Sequence, residues 1–346
     1  MKGVLLVNLG SPDSTKKKDV KRYLDEFLMD EYVLDMPYWK RFLLVKGIIL
    51  NTRPQKTAEA YRKIWKDGDA PLIEISKNFT KKLKENVDFP VELAMRYGSL
   101  SIKKGLEKLL AKGVNDVLVL PLYPHYAMSS YETVKVKTEE VRDKFFKNLK
   151  LDFFPVFYKN SNYIKVLSKS IKDQLSGYDF DYLLFSYHGL PERHIYKADP
   201  TNNHCKLDGS CCEKPSVAHK TCYRHQCYET TKRVVEELGF SKDKYGISFQ
   251  SRLLKDPWLK PYTDHVLAEL PQKEIKKIAV VAPAFVTDCL ETLEEMAIEG
   301  KKTFLNAGGE DFKYLYCLNE DEDWVKVVEG WINNRIKKSK TDVFIS

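Results

Sequence analysis

No apolar run in the sequence approaches the ~20 residues that a membrane-spanning helix needs, so a helical membrane protein is not expected. The opening stretch Met1–Asn8 is too short for a secretory signal and reads as a first β-strand. Glycine-rich phosphate loops are missing too. Neither Asn8-Leu9-Gly10-Ser11-Pro12 nor Asn306-Ala307-Gly308-Gly309 completes a dinucleotide or P-loop fingerprint. That argues against a Rossmann oxidoreductase or another nucleotide enzyme. Zinc-finger spacing and RNA-binding signatures are absent, so no nucleic-acid partner is expected. There is no Cys-x2-Cys knuckle, short repeat, low-complexity linker or Gly/Ser spacer.

What is present is globular. The 346 residues suffice for roughly two domains with real cores, and 43% of them are hydrophobic. The net charge of +8 comes from lysines, as in Lys16-Lys17-Lys18 and Lys337-Lys338. Such runs form a solvated face or attract an anionic membrane surface or acidic ligand. A cytoplasmic chain is expected, in which seven cysteines point to thiols or metal ligands rather than disulfides.

Strand-like runs fall near 3–8, 90–96, 115–121, 150–157, 181–187, 245–250, 276–284 and 312–317. Helical patterns fill most gaps, for example 55–66, 72–87, 101–112, 160–175 and 223–238. This alternation predicts an α/β fold of two doubly wound, mostly parallel sheets. The expected units are 1–160, with an apolar segment at 33–54, and 161–310, with a cysteine-rich insert at 201–227. A strand and helix over 311–346 are expected to pack back on the first unit.

Two motifs sit where buried strands end, which is where ligands bind in open α/β sheets. The first is Ser186-Tyr187-His188-Gly189-Leu190-Pro191. A lone histidine is more often structural, but Gly189 and Pro191 fix a tight turn that holds this one. The second motif runs from Asp288 to Glu295. Glu291, Glu295 and Glu299 are spaced to share one helical face, with Asp288 a turn earlier and no Lys or Arg at i±4. The ordinary reading of an acidic row is a solvated face. An unrelieved one fits a path for a cation or for protons. A neutral imidazole and carboxylates together can move protons and hold a metal ion.

The order of motifs resembles the ferrochelatases, which insert Fe(II) into a porphyrin in haem synthesis. The resemblance covers nearly the whole chain. It runs through Leu6-Val7-Asn8-Leu9-Gly10-Ser11-Pro12, Arg53-Pro54 with Tyr61-Arg62-Lys63-Ile64-Trp65, Arg96-Tyr97 and Leu122-Tyr123-Pro124-His125-Tyr126. It continues through His188-Gly189-Leu190-Pro191, Asp256-Pro257-Trp258-Leu259, the Asp288 motif and Phe304-Leu305-Asn306-Ala307-Gly308-Gly309. It implies two Rossmann-like domains around a porphyrin cleft, with His188 and Glu291 as the catalytic and Fe(II)-binding pair. Asp288 and Glu295 would be relay positions. Leu9, Arg53, Tyr61, Arg96, Tyr126, Ser130, Trp258 and Phe285 would contact the macrocycle, although each aromatic alone is more often core. The implied reaction is protoporphyrin IX plus Fe(II) giving protohaem. Coproporphyrin III or cobalt insertion are the near alternatives, and an iron–sulfur sensor on a chelatase scaffold is the distant one. Leu253-Leu254-Lys255-Asp256 departs from the expected aromatic-Gly pair, and Cys289 stands where some relatives carry a histidine.

Two segments break the strand–helix rhythm. Val33 to Leu50 mixes Trp39, Phe42, Leu43, Leu44, Ile48 and Ile49 with Lys40, Arg41 and Lys46. It reads equally as a core helix or as an interfacial lip that makes peripheral contact with the inner membrane. Thr201 to Cys227 carries Cys205, Cys211, Cys212, Cys222 and Cys227 among His204, His219 and His225. Some microbial ferrochelatases hold a [2Fe–2S] cluster on such an insert. Cys205, Cys212, Cys222 and Cys227 are the expected ligands, with Cys211 as the alternative to Cys212. Zinc is the second reading and free thiols the third.

Overall fold

A computed structural model describes residues 1–66, 68–253 and 256–341, with side chains described no further than residue 336. The side chains of Lys337-Lys338, and the Leu254-Lys255 pair before Trp258, lie outside that description. The chain forms two compact units. One comprises 1–122, 128–155 and 319–346, and the other 123–127 and 156–318.

The first unit holds a parallel sheet of β1 (Lys2–Asn8), β2 (Val91–Met95), β3 (Asp116–Pro121) and β4 (Lys150–Phe153), in the order β2-β1-β3-β4. Central strands of such sheets are covered on both faces and so read as continuous apolar runs. Val4, Leu5, Leu6 and Val7 of β1 are all fully buried. The second unit repeats the scheme with β5 (Tyr182–His188), β6 (Tyr245–Gln250), β7 (Lys277–Val281) and β8 (Asp311–Leu315), in the order β6-β5-β7-β8. The connecting helices begin and end where local chemistry dictates. Asn160 accepts from the N–H groups of Asn162 and Tyr163 to cap the Ser161–Leu175 helix. Gly239, at φ 70°, ends the Tyr223–Leu238 helix in the left-handed conformation that glycine adopts without strain.

All eight expected strands form, but the grouping over 311–346 differs from the expectation. β8 pairs with β7, Ile278 opposite Phe312, and so completes the second sheet. Only the helix after it, Glu322–Thr341, joins the first unit. There Trp324 stacks on Phe79 and Arg335 pairs with Asp152 at 2.8 Å. The segment at 33–50 is neither wholly core nor wholly surface. A short helix, Tyr38–Phe42, runs into a π-helix, Leu43–Ile49. Leu34, Val45, Ile49 and Leu50 are buried, whereas Tyr38, Trp39, Phe42, Leu43 and Ile48 are exposed. Among the described residues no helix is long and apolar enough to cross a membrane.

Candidate functional site

His188 is the last residue of β5 and lies opposite Gln250 at the end of β6. The turn after it is held from both sides. Gly189 N–H donates to the Gln250 carbonyl at 2.7 Å, and Leu259 N–H donates to the Leu190 carbonyl at 2.9 Å. A Cβ on residue 189 would lie 2.6 Å from that Gln250 oxygen, so the close approach requires glycine. The imidazole meets Phe285 edge to face, with centroids 6.1 Å apart. Its Nδ1 is buried without a hydrogen-bond partner among the described residues. Burial lowers the His188 pKa below 6.5, and the charge of Glu291 only partly opposes this. The ring is therefore neutral at pH 7 and able to take a proton or a metal.

Glu291 opens a π-helix, Glu291–Gly300. Its wider i→i+5 turn places residues four apart just short of a full turn rather than just past it. Glu291, Glu295 and Glu299 therefore stay on one side, drifting in the opposite sense to an α-helix. Gln250 joins this helix to β5. Its Nε2 donates to the Glu291 carbonyl at 3.0 Å, and its Oε1 accepts from Ser186 Oγ at 2.7 Å. Ser251 donates to the Glu295 carboxylate. The acidic row is less bare than its i±4 spacing suggests, because Lys302 pairs with Glu299 at 3.1 Å. Asp288 is 1% exposed and accepts from Thr292 Oγ1 at 2.7 Å, Tyr314 Oη at 3.0 Å and Cys317 N–H at 3.1 Å. It thus ties the start of the π-helix to the end of β8. Cys289 is buried, and burial pushes its thiol up, in keeping with a packing role. A cavity of about 310 Å³ beside the helix is lined by Ser251, Arg252, Asp264, Glu294, Glu295 and Glu299.

A neutral imidazole set beside a carboxylate-bearing π-helix at the carboxyl end of a parallel sheet suits proton removal and metal transfer. The ferrochelatase family profile matches residues 1–336. The chain belongs to the ferrochelatase family. Among known ferrochelatases it is 45% identical to that of Opitutus terrae, over 97% of both chains. It is also 45% identical to that of Pseudomonas fluorescens strain Pf0-1, over 94% of this chain and 95% of the relative. The fold is similar to that of SirB from Bacillus subtilis with Fe3+, at a TM-score of 0.55 and 10% identity over 98% and 97% of the two chains. It is similar as well to the sirohydrochlorin chelatase SirB from Bacillus subtilis subspecies spizizenii in complex with cobalt. There the TM-score is 0.53 at 10% identity, over 97% of this chain and 94% of the other. Ferrochelatases are metal chelatases of the lyase class, and the chain is placed in porphyrin and haem biosynthesis on this ground.

The residues that the ferrochelatase resemblance marks for the macrocycle divide between the units. In the second unit Trp258 bridges to Pro191 and donates its indole N–H to the Leu253 carbonyl at 2.9 Å, close to the His188 turn. Phe285 faces His188, and Tyr126 N–H donates to Gln226 Oε1 at 2.7 Å. In the first unit Leu9 follows β1, with its N–H on Asn8 Oδ1. Arg53 and Tyr61 share the Leu50–Ile64 helix, Arg53 exposed and Tyr61 buried. Ser130 lies in the short π-helix Met128–Glu132. Arg96 is largely taken up by the protein itself, bonding Asp30 and donating to Thr133 Oγ1 at 2.8 Å.

The cysteine-rich segment is ordered around Asp199, whose carboxylate accepts from the N–H groups of Thr201, His204 and Cys205. Burial works to raise that carboxyl, but these bonds hold it at about 2. The Cys205 and Cys222 thiols are neighbours, as are those of Cys211 and Cys212, and all four are free. Burial pushes Cys212 up to about 12. Burial also works to raise Cys211, yet the backbone N–H groups of Lys206 and Leu207, together with Cys212 and the charge of Arg224, leave the thiol below its ordinary value. Arg224 donates to Cys212 Sγ at 3.4 Å. Cys227 is fully buried. Burial also pushes the Cys205, Cys222 and Cys227 thiols up, so of these five only Cys211 is biased toward thiolate. Among the described residues no three His, Cys, Asp or Glu side chains already stand at metal-ligand spacing.

Gln250, Tyr223 and Glu294 were not singled out from the sequence. The cue for Gln250 is a polar residue closing an apolar strand, Ile247-Ser248-Phe249-Gln250, where a side-chain partner is required once it is buried.

Proposed function

We propose that the chain inserts Fe(II) into protoporphyrin IX, forming four Fe–N bonds as two pyrrole N–H bonds break, and releasing two protons with protohaem. The observation that carries the reading is Gln250, which ties the strand ending in His188 to the helix opening with Glu291. Neutral His188 accepts a pyrrole proton, and Glu291 delivers the Fe(II) substrate or takes the proton onward. Glu295 is the relay position beyond it. Asp288, with three donors on its carboxylate, anchors the helix instead. Trp258, Phe285 and Tyr126 offer flat apolar surface to the macrocycle. Fe(II) insertion without oxygen, with protoporphyrin IX and coproporphyrin III supplied separately, tests the substrate. Protoporphyrin is expected to be turned over faster, and a preference for coproporphyrin moves the chain to the alternative substrate.

A [2Fe–2S] cluster on the insert belongs to the same reading. Cys205, Cys212, Cys222 and Cys227 are its candidate ligands, with Cys211 the alternative to Cys212. When bound, such a cluster cross-links the segment and carries single electrons. Protein purified without oxygen is expected to hold about two iron and two sulfide per chain; one zinc and no sulfide assigns the segment to zinc. The exposed face of Tyr38, Trp39, Phe42, Leu43 and Ile48, with Lys40 beside it, fits peripheral contact with an anionic membrane.

A further inference from the structure

The helix that follows the cysteine-rich segment reaches back to the insertion site. Tyr223, its first residue, is buried, and its hydroxyl donates to the His188 carbonyl at 2.9 Å. Cys227 lies one turn on, beside the same side chain. The residue before Tyr223, Cys222, caps the helix by accepting from His225 N–H at 3.5 Å and neighbours Cys205. Gln226 adds a second link. It is fully buried, accepts from Tyr126 N–H at 2.7 Å, and donates to the carbonyls of His219 and Lys220 at 3.1 and 3.0 Å. The opening turns of this helix are thus tied to the cysteine-rich segment on one side and to His188 and Tyr126 on the other.

This matters because His188 Nδ1 has no hydrogen-bond partner among the described residues. In most reactive histidines the second nitrogen is bonded, and that bond aims the ring. Here the ring's direction comes from the backbone that carries it. The ladder to Gln250 fixes one side of that backbone, and the Tyr223 hydroxyl fixes the peptide plane on the other. We propose that Tyr223 is a positioning residue for His188, and that through it the order of the cysteine-rich segment sets the rate of insertion. The proposal rests on His188 being the group that acts on the porphyrin.

Tyr223→Phe in the full chain keeps the ring and removes only the hydroxyl. Turnover of Fe(II) insertion is expected to fall roughly tenfold or more, the scale on which misplaced reacting groups cost rate. The KM for porphyrin and its affinity by fluorescence quenching should stay within about twofold, since no macrocycle contact changes. Single-turnover rates per bound porphyrin keep the comparison valid if part of the sample unfolds. Tyr178→Phe is the control, since its hydroxyl also donates to a strand carbonyl, that of Ile278 at 3.2 Å, away from His188. It should keep the wild-type rate. Cys205→Ser should slow insertion in the parent chain and add little in the Tyr223→Phe background. Wild-type turnover in Tyr223→Phe with an inactive His188→Ala overturns the positioning role alone, as does a rise in KM equal to the loss in rate. Full activity in His188→Ala overturns the underlying reading of the site.

Discussion

Burial drives the imidazoles of His188 and His125 in the same direction, below the ordinary value of 6.5. For His188 the consequence is kinetic. The neutral form accepts the pyrrole proton, and a lowered pKa preserves it at pH values where a free imidazole would be charged. The acid limb of kcat for insertion is expected below pH 6.5, with rate lost only as pH falls through that lower value. A limb at or above 6.5 means that another group titrates. For His125 the consequence is stability. Its Nε2 is bonded to Thr230 Oγ1 at 2.9 Å, and burial pushes its pKa down to about 3. Between 6.5 and that value the unfolded chain binds a proton that the folded chain refuses. Stability therefore falls as pH falls, by up to about 1.4 kcal/mol per unit from this group. Urea midpoints at pH 7 and pH 5 should draw closer together in His125→Gln; an unchanged gap contradicts the assignment.

The π-helix and the segment at 38–49 are elements whose unusual turns decide what they present. Glu291, Glu295 and Glu299 were recognisable from spacing because both helix types keep residues four apart on one side. That Asp288 would be consumed by Thr292, Tyr314 and Cys317 was not, because two of those partners lie more than 25 residues away. Gln250 and Tyr223 escaped notice for the same reason: their meaning lies in bonds to Ser186, Glu291 and His188 across the second unit. The apolar segment illustrates the opposite limit. Its composition suited either a core helix or an interfacial one, and burial divides it residue by residue. Phe42→Glu with Leu43→Glu places charge at side chains 42% and 60% exposed. Binding to anionic liposomes should weaken at least tenfold, with the melting temperature within about 2 °C of the parent, since exposed substitutions cost little stability. Unfolding of this variant would return the segment to the core reading.

At the scale of the whole molecule, the alternation of apolar strands with amphipathic helices was enough to place all eight strands and to predict parallel sheets. It could not say which sheet the last strand joins. β8 follows a helix, as every crossover strand does, and only its register with β7 assigns it to the second unit. Sequence kinship then identifies the family, and the local geometry around His188 supplies the mechanism to be tested. The most direct measurement pairs turnover with porphyrin affinity in His188→Ala and Glu291→Gln. His188→Ala should abolish insertion. Glu291→Gln should lower turnover by about 10²- to 10⁴-fold, the usual worth of a positioned acid–base group. Both should bind porphyrin within a few-fold of the parent chain. Near-parental turnover in either variant would contradict the assignment of the pair.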